Sequence, residues 1–167
     1  MLFRSRVAVV TGASRGLGKG IALALGDAGY TVYVTGRSTE PGTHDLGGTI
    51  GETAAQVTER GGTGIAVACD HRDDGAGAAL AEQVRREQGV LDLLVNNAFA
   101  VPDDITASGH FWEKSLDAVA TFDVGLRSTY TTTWHATPLL LDSAERSPLI
   151  VNISGFGAVC YLHGPAY

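Results

Sequence analysis

Several residue types are scarce in this sequence, and each scarcity excludes a class of protein. Two cysteines, Cys69 and Cys160, are too few and too far apart for a disulfide framework or a metal site. We expect both to be buried thiols in a reducing compartment. The five histidines are scattered without ligand spacing, so no metal is predicted. The sequence has no cluster of lysine and arginine, and its net charge of −6 argues against a nucleic-acid partner.

Long apolar runs are missing as well. No stretch approaches the ~18 apolar residues that a membrane-spanning helix requires. The first residues run into an apolar strand without the apolar core of a secretion signal. We therefore expect a cytoplasmic protein without a membrane partner. Glycine, in contrast, is abundant at 22 of 167 residues, and glycines that follow short apolar runs mark tight turns or close approach to a ligand.

Short β-branched runs alternate with helical patterns along the whole sequence. The runs lack polar alternation, which is typical of parallel strands buried on both faces, and they predict strands at residues 7–10, 31–35, 65–68, 91–95 and 149–153. The first predicted helix has an apolar face made of Leu17, Ile21, Ala24 and Ala28. Further helices are predicted over 49–60 and over the segment that Asp73 and Asp74 open and Gly89 closes. The last helical stretch covers 115–143 as one helix or two. This alternation predicts a single α/β domain over residues 1–167, a Rossmann-like doubly wound parallel sheet with helices on both faces.

A glycine-rich turn joins the first strand to the first helix. It reads Thr11, Gly12, Ala13, Ser14, Arg15, Gly16, Leu17, Gly18. Three glycines at this spacing let the backbone turn sharply, approach a pyrophosphate and pack the helix close to the strand, with the phosphates at the helix N-terminus. Glycines alone would also suit a structural turn. The strand before them and the helix after them are the context that a phosphate-binding turn requires.

Five landmarks in order resemble the short-chain dehydrogenase/reductase family. The turn is similar to its TGxxxGxG motif, Asp70 to its adenine-contacting aspartate, and Asn96-Asn97-Ala98 to its NNAG motif. Ser154 and Tyr167, thirteen residues apart, resemble its catalytic serine and tyrosine. The resemblance implies a dimer or tetramer of identical chains and a nicotinamide cofactor held by Gly12, Ser14, Arg15, Gly16, Leu17, Gly18, Asp70, Asn97 and Ala98. Asn96 and Asn97 would serve equally well to hold neighbouring backbone, and Asp70 would serve as an ordinary strand-end aspartate.

The end of the second strand indicates which nicotinamide cofactor is bound. Enzymes that prefer NAD place an acid there to hold the ribose 2′-hydroxyl, whereas this sequence has Gly36-Arg37. Arg15 and Arg37 are candidates to bind a 2′-phosphate. One charge-assisted hydrogen bond is worth about 1.5–3 kcal/mol, enough to favour NADP(H) about tenfold. The alternative is that both arginines are solvated surface charges. We predict NADP(H), with NAD(H) second.

The resemblance also implies the chemistry. Tyr167 would supply a proton to a carbonyl substrate, and Ser154 would hydrogen-bond the substrate oxygen. A free tyrosine has a pKa of about 10, and lowering it toward 7 needs a nearby cation and roughly 4 kcal/mol. In the family that cation is a lysine four residues beyond the tyrosine. Because the sequence ends at Tyr167, we expect a fragment without this lysine, its helix and the family's last two strands.

The leading hypothesis is therefore an NADP(H)-dependent oxidoreductase that acts on a small carbonyl compound or secondary alcohol. The first alternative is a non-catalytic NADP(H)-binding module or inactive fragment. The second is another Rossmann-type enzyme such as a methyltransferase, which the glycine spacing and the serine–tyrosine pair disfavour.

Two residues depart from the family pattern. Phe99 stands where the NNAG motif has its glycine, and Gly125 stands where many members have an asparagine that supports a proton relay. Both departures resemble the branch around animal dehydrogenase/reductase member 1, which implies ketone and steroid-like substrates. Phe156 or Tyr161, between the serine and the tyrosine, is expected to line the substrate pocket.

Overall fold

The computed structural model describes residues 5–42, 46–102 and 108–155. The strands in this part of the chain are β1 (Val7–Val10), β2 (Thr31–Gly36), β3 (Thr63–Ala68), β4 (Leu93–Asn96) and β5 (Leu149–Asn152). The α-helices are α1 (Gly16–Asp27), α2 (Ile50–Glu59), α3 (Asp74–Gln88) and α4 (Ser128–Leu141). Each predicted strand is present, with ends shifted by no more than two residues.

The strands form one parallel sheet in the order β3-β2-β1-β4-β5. Every residue of β1 and β2 is buried, which explains why neither strand alternates apolar with charged residues. After β1, the chain adds β2 and β3 on one side of β1. It then crosses over and adds β4 and β5 on the other side of β1. The carboxyl ends of β1 and β4 therefore form the topological switch point where doubly wound folds bind ligands. The predicted fold class is confirmed.

Helices cover both faces of the sheet. Residues of α1 and α2 share one core with Val10, Val32 and Val34, and residues of α3 and α4 share a second core with Val9 and Tyr33. Alternate side chains of a strand point to opposite faces, so each central strand contributes to both cores. Among the described residues, no helix combines the length and apolar character needed to cross a bilayer.

Local sequence signals set the ends of α2 and α3. Thr49 and Glu52 form a capping box at the start of α2, since each side chain accepts a hydrogen bond from the other's backbone N–H. The Asp73 carboxylate caps α3 by accepting from the Gly75 N–H at 2.8 Å. Gly89 ends α3 in the left-handed conformation with φ 77°. Both helices begin and end where the sequence predicts, within one or two residues.

The predicted buried face of α1 is wrong. The buried residues are Gly18, Ala22 and Gly26, whereas Leu17 is 60% exposed. A Cβ at Gly26 would lie 2.8 Å from the Val57 carbonyl oxygen of α2. Because α1 packs this closely, the residues that it buries completely are the smallest ones, and its larger residues Ile21, Leu23 and Leu25 are only partly buried against the same core.

The segment 115–143 is not a continuous helix. A 3₁₀ turn at Leu116–Val119 and a π-helical segment at Phe122–Arg127 precede α4. Val124 has non-helical angles (φ −108°, ψ 51°), and its carbonyl oxygen accepts a hydrogen bond from the Ala100 N–H at 3.2 Å. The interruption therefore ties this segment to the loop that follows β4.

Candidate cofactor and active site

The predicted site residues converge at the carboxyl edge of the sheet. The glycine turn follows β1, and Asn97 and Ala98 follow β4, the neighbouring strand. On the next strand, the Ile153 N–H donates to the Asn96 carbonyl oxygen at 2.9 Å. This pairing places Ser154, two residues beyond the end of β5, at the same edge of the sheet as Ala98. The carboxyl ends of the three adjacent strands β1, β4 and β5 therefore lie together around the switch point.

Residues after β4 hold the glycine turn in place. The Thr11 hydroxyl oxygen accepts from the backbone N–H groups of Asn97 and Ala98, both at 2.9 Å. In return, Asn97 Nδ2 donates to the carbonyl oxygens of Thr11 at 2.9 Å and Gly12 at 3.0 Å. Both amide protons of Asn97 are used in this way. The structure therefore gives Asn97 the backbone-holding role that the sequence left open, and a direct cofactor contact remains a prediction.

Close packing explains two of the three glycines. Gly12 has φ 65°, and a Cβ there would lie 2.8 Å from the Ala98 Cα. A Cβ at Gly18 would lie 2.3 Å from Asn97 Nδ2 and 2.5 Å from the Gly12 carbonyl oxygen. Gly16 differs: it has φ 55°, and a Cβ there would meet nothing within 4 Å. The turn is thus closely packed at Gly12 and Gly18 and open at Gly16, the first residue of α1.

The N-terminus of α1 is suited to an anion. No side chain caps it, and no acidic residue lies in its first turn. The N-termini of α2 and α3 differ, because both are capped by side chains and carry Glu52 and Asp74 in their first turns. Free N–H groups and the helix dipole favour negative charge at such an end. The cradle therefore fits the pyrophosphate of a dinucleotide.

Arg15 connects the glycine turn to the loop after β2. Its Nη2 donates to the Ser38 hydroxyl at 2.5 Å and to the Gly48 carbonyl oxygen at 3.3 Å. Within the described part of the chain, its Nε is buried and makes no hydrogen bond. The guanidinium is therefore fixed beside the end of β2, and its buried Nε–H is unused. Arg37 is exposed at the same strand end, and Ser14 is buried between the turn and α2.

Asp70 follows β3 and is paired with Arg72. Its Oδ1 accepts from the Arg72 backbone N–H at 3.0 Å, and its two oxygens accept from the guanidinium at 3.3 Å. Burial raises the pKa of Asp70, but the hydrogen bonds from Arg72 and the charge of Arg37 outweigh it and lower the pKa overall. Asp70 is therefore a carboxylate at neutral pH. The predicted adenine contact is untested by this geometry.

A buried histidine that was not predicted from the sequence lies at the same edge. His71 Nε2 lies 2.8 Å from the Thr35 hydroxyl, and Nδ1 lies 3.9 Å from Cys69 Sγ. Burial lowers the pKa of His71 to about 4 and, with the charges of Asp70 and Asp73, raises the pKa of Cys69 to about 11. Both groups are neutral at pH 7. Among the residues the structure describes, no cluster of His, Cys, Asp and Glu is arranged to hold a metal ion.

Asn96 joins β4 to its neighbours. Its Nδ2 donates to the Thr133 hydroxyl of α4 at 3.1 Å and to the side-chain oxygen Oδ1 of Asn152 in β5 at 2.9 Å. The residue is 5% exposed. Asn96 therefore fixes β5 and α4 against β4 through their side chains, and not by holding neighbouring backbone as the sequence alternative supposed.

The catalytic pair is described only in part. Ser154 is exposed just after β5, on the edge that carries the glycine turn. Tyr167, Phe156, Tyr161 and Cys160 lie outside the described residues, so their predicted roles rest on the sequence. The structure thus brings the cofactor candidates and Ser154 to one edge of the sheet.

Comparison with known proteins agrees with this arrangement. A family model described as "short chain dehydrogenase" matches residues 6–167. "Dehydrogenase/reductase SDR family member 1" of Mus musculus is 38% identical over 168 residues, covering 98% of this chain and 50% of the relative. The Homo sapiens protein of the same name is 39% identical over 166 residues, with 97% and 50% covered. A metagenomic short-chain oxidoreductase solved in complex with NADP has a TM-score of 0.78 and 31% identity, with 94% of this chain and 65% of that one covered.

This chain belongs to the short-chain dehydrogenase/reductase family. Within the family it is similar to dehydrogenase/reductase member 1, the branch that Phe99 and Gly125 suggest. The chain spans about half the length of these two relatives.

Proposed function

We propose that this protein is an NADP(H)-dependent oxidoreductase that interconverts a carbonyl compound and a secondary alcohol. The observation that carries the proposal is the cradle at the carboxyl edge of β1. A tightly held glycine turn presents an uncapped helix N-terminus, and Arg15 beside it reaches the loop after β2. Family membership supports the same conclusion.

The chain's own residues suit NADP(H) better than NAD(H). The backbone of Gly16, Leu17 and Gly18 at the start of α1 would hold the pyrophosphate. β2 ends in Gly36 and Arg37, so no carboxylate at that strand end repels a 2′-phosphate. The Arg15 guanidinium, which lies beside the loop after β2, and the exposed Arg37 would bind that phosphate. The solved relative with NADP bound is consistent with this preference.

Ser154 and Tyr167 would perform the acid–base part of the reaction. Bound NADPH supplies a hydride to the carbonyl carbon. The Ser154 hydroxyl would donate a hydrogen bond to the carbonyl oxygen, and the Tyr167 hydroxyl would give its proton to that oxygen, so the carbonyl becomes an alcohol. The reverse direction returns the proton to Tyr167. A tyrosine pKa of about 10 is too high for this exchange at neutral pH, so a cation near Tyr167 is required.

A non-catalytic NADP(H)-binding protein is the second candidate. Gly125 carries no amide side chain, and its carbonyl oxygen accepts a hydrogen bond from the Thr129 hydroxyl at 2.6 Å. A relay through this position would have to compete with that hydrogen bond. This candidate and the enzyme share the cofactor site and differ only in turnover.

Turnover distinguishes the two. NADPH consumption by the intact protein would be followed at 340 nm with a set of ketones, for wild type, Tyr167→Phe and Ser154→Ala. We expect wild-type turnover, a loss of at least a hundredfold in kcat for Tyr167→Phe, on the order of general acid catalysis, and unchanged NADPH affinity in both variants. Full activity of Tyr167→Phe would contradict the assigned proton donor. NADPH binding without turnover of any ketone would establish the non-catalytic alternative.

A further inference from the structure

The two residues that depart from the family pattern contact each other. A Cβ built on Gly125 would lie 3.4 Å from Cδ2 and 3.7 Å from Cε2 of the Phe99 ring. The backbones of the same two segments are joined by the hydrogen bond from Ala100 to Val124. The Phe99 ring therefore lies against the bare backbone at Gly125, at the point where the helical segment is interrupted.

Phe99 also lies at the edge of the sheet that carries the candidate site, just after the end of β4. Phe99 is 50% exposed, and it directly follows Ala98, whose backbone packs against Gly12 of the glycine turn. β4 and β5 are paired with Asn96 opposite Asn152. Phe99 and Ser154 thus lie just beyond the ends of neighbouring strands. A half-exposed aromatic ring at a ligand-binding edge is suited to contact an apolar part of a ligand.

We propose that Phe99 is a specificity-determining residue that packs against an apolar group on the carbonyl carbon of the substrate, and that Gly125 is the positioning residue that lets the ring lie there. This inference rests on the proposed reductase function. The substrate class it assigns is ketones with an aryl or comparably large apolar substituent.

Steric exclusion links the residue at position 125 to the ring of Phe99. An alanine at Gly125 would make ordinary van der Waals contact with the ring, because its Cβ would stand 3.4 Å away. A side chain as large as asparagine would occupy the volume of the ring and displace it. An asparagine at position 125 and a phenylalanine at position 99 therefore exclude each other in this arrangement.

The test is a double-mutant cycle read as substrate preference. kcat/KM of the intact enzyme at saturating NADPH would be measured with acetophenone and with 2-butanone for wild type, Phe99→Ala, Gly125→Asn and the double variant. Phe99→Ala should lower kcat/KM for acetophenone about tenfold, the size expected for a lost apolar contact, and should change that for 2-butanone less than about twofold. The loss should be in KM and not in kcat. Phe99→Leu should lie between wild type and Phe99→Ala.

Coupling between Phe99 and Gly125 is tested separately by the double variant. Gly125→Asn should reproduce the effect of Phe99→Ala, and the double variant should lose no more than either single variant. The matched controls are Leu141→Ala, an exposed apolar residue at the end of α4, and Gly20→Asn, a glycine with open space around it. Neither should change the acetophenone to 2-butanone ratio.

The results distinguish failure of the Phe99 specificity role from failure of the proposed reductase function. A ratio that Phe99→Ala leaves unchanged in an active enzyme refutes the specificity role, and additive losses in the cycle refute the positioning role of Gly125. A wild-type protein that consumes no NADPH with either ketone refutes the proposed function and this inference with it.

Discussion

Substituting alanine for Gly18 should damage both stability and cofactor binding, because the space at its Cα is filled. The added Cβ would lie 2.3 Å from Asn97 Nδ2, 2.5 Å from the Gly12 carbonyl oxygen and 3.1 Å from the Ala13 Cα. The Asn97 amide must then move and lose its hydrogen bonds to Thr11 and Gly12. At about 1 kcal/mol for each hydrogen bond plus the steric cost, the free energy of unfolding should fall by about 3 kcal/mol.

Gly20 provides the matched control on the same helix. It is exposed, and a Cβ there would meet nothing within 4 Å, so Gly20→Ala should raise stability by up to about 1 kcal/mol through helix propensity. Urea unfolding followed by circular dichroism would give both values, and fluorescence titration would give NADPH affinity. Gly18→Ala should weaken NADPH binding more than about tenfold, or 1.4 kcal/mol. Equal stability and affinity of the Gly18 and Gly20 variants would refute the reasoning about the turn.

Three further predictions concern buried polar and close-packed positions. The pKa of His71 is about 6.5 in the unfolded chain and about 4 in the folded protein. The contribution of His71 to the free energy of unfolding is therefore fully present above pH 6.5 and is lost as the pH falls toward 4. Urea unfolding at pH 7.5 and 5.0 should differ by about 2 kcal/mol, and His71→Gln should remove that part of the difference. The Asp92 carboxylate accepts from the Val7 N–H at 2.7 Å while 4% exposed, so Asp92→Ala should cost about 3 kcal/mol, and Asp92→Asn less. A Cβ at Gly64 would lie 1.9 Å from the Ala54 carbonyl oxygen, so thermal unfolding should show Gly64→Ala to be destabilised by about 3 kcal/mol; an unchanged midpoint would contradict this packing.

Local patterns predicted the strands, the sheet and the helix ends, because those features depend on neighbouring residues. A strand buried on both faces favours β-branched residues without alternating charged ones, and both β1 and β2 are rich in β-branched residues. Asp73 and Gly89 mark the ends of α3 through their own backbone and side-chain chemistry. The glycine turn was recognisable for the same reason, since its strand, turn and helix are contiguous in sequence.

Features that depend on distant residues could not be predicted in this way. The packing face of α1 was predicted from its large apolar residues, but close approach to α2 selects Gly18, Ala22 and Gly26. The buried pair of Asp92 with Arg146, 2.9 Å apart, joins residues far apart in sequence. The contact of Phe99 with Gly125 likewise depends on where the helical stretch before α4 is interrupted, and the pattern of 115–143 allowed one helix or two without locating the break.

The most direct test of the account is the affinity of the protein for NADPH and NADH, measured by calorimetric titration for wild type and Arg15→Gln. We expect wild type to bind NADPH at least about tenfold more tightly than NADH, which corresponds to one charge-assisted hydrogen bond. Arg15→Gln should remove most of this preference and leave the affinity for NADH nearly unchanged. Equal affinities of wild type for the two cofactors, or a preference that survives Arg15→Gln, would contradict the assignment of Arg15 and the end of β2 to the 2′-phosphate.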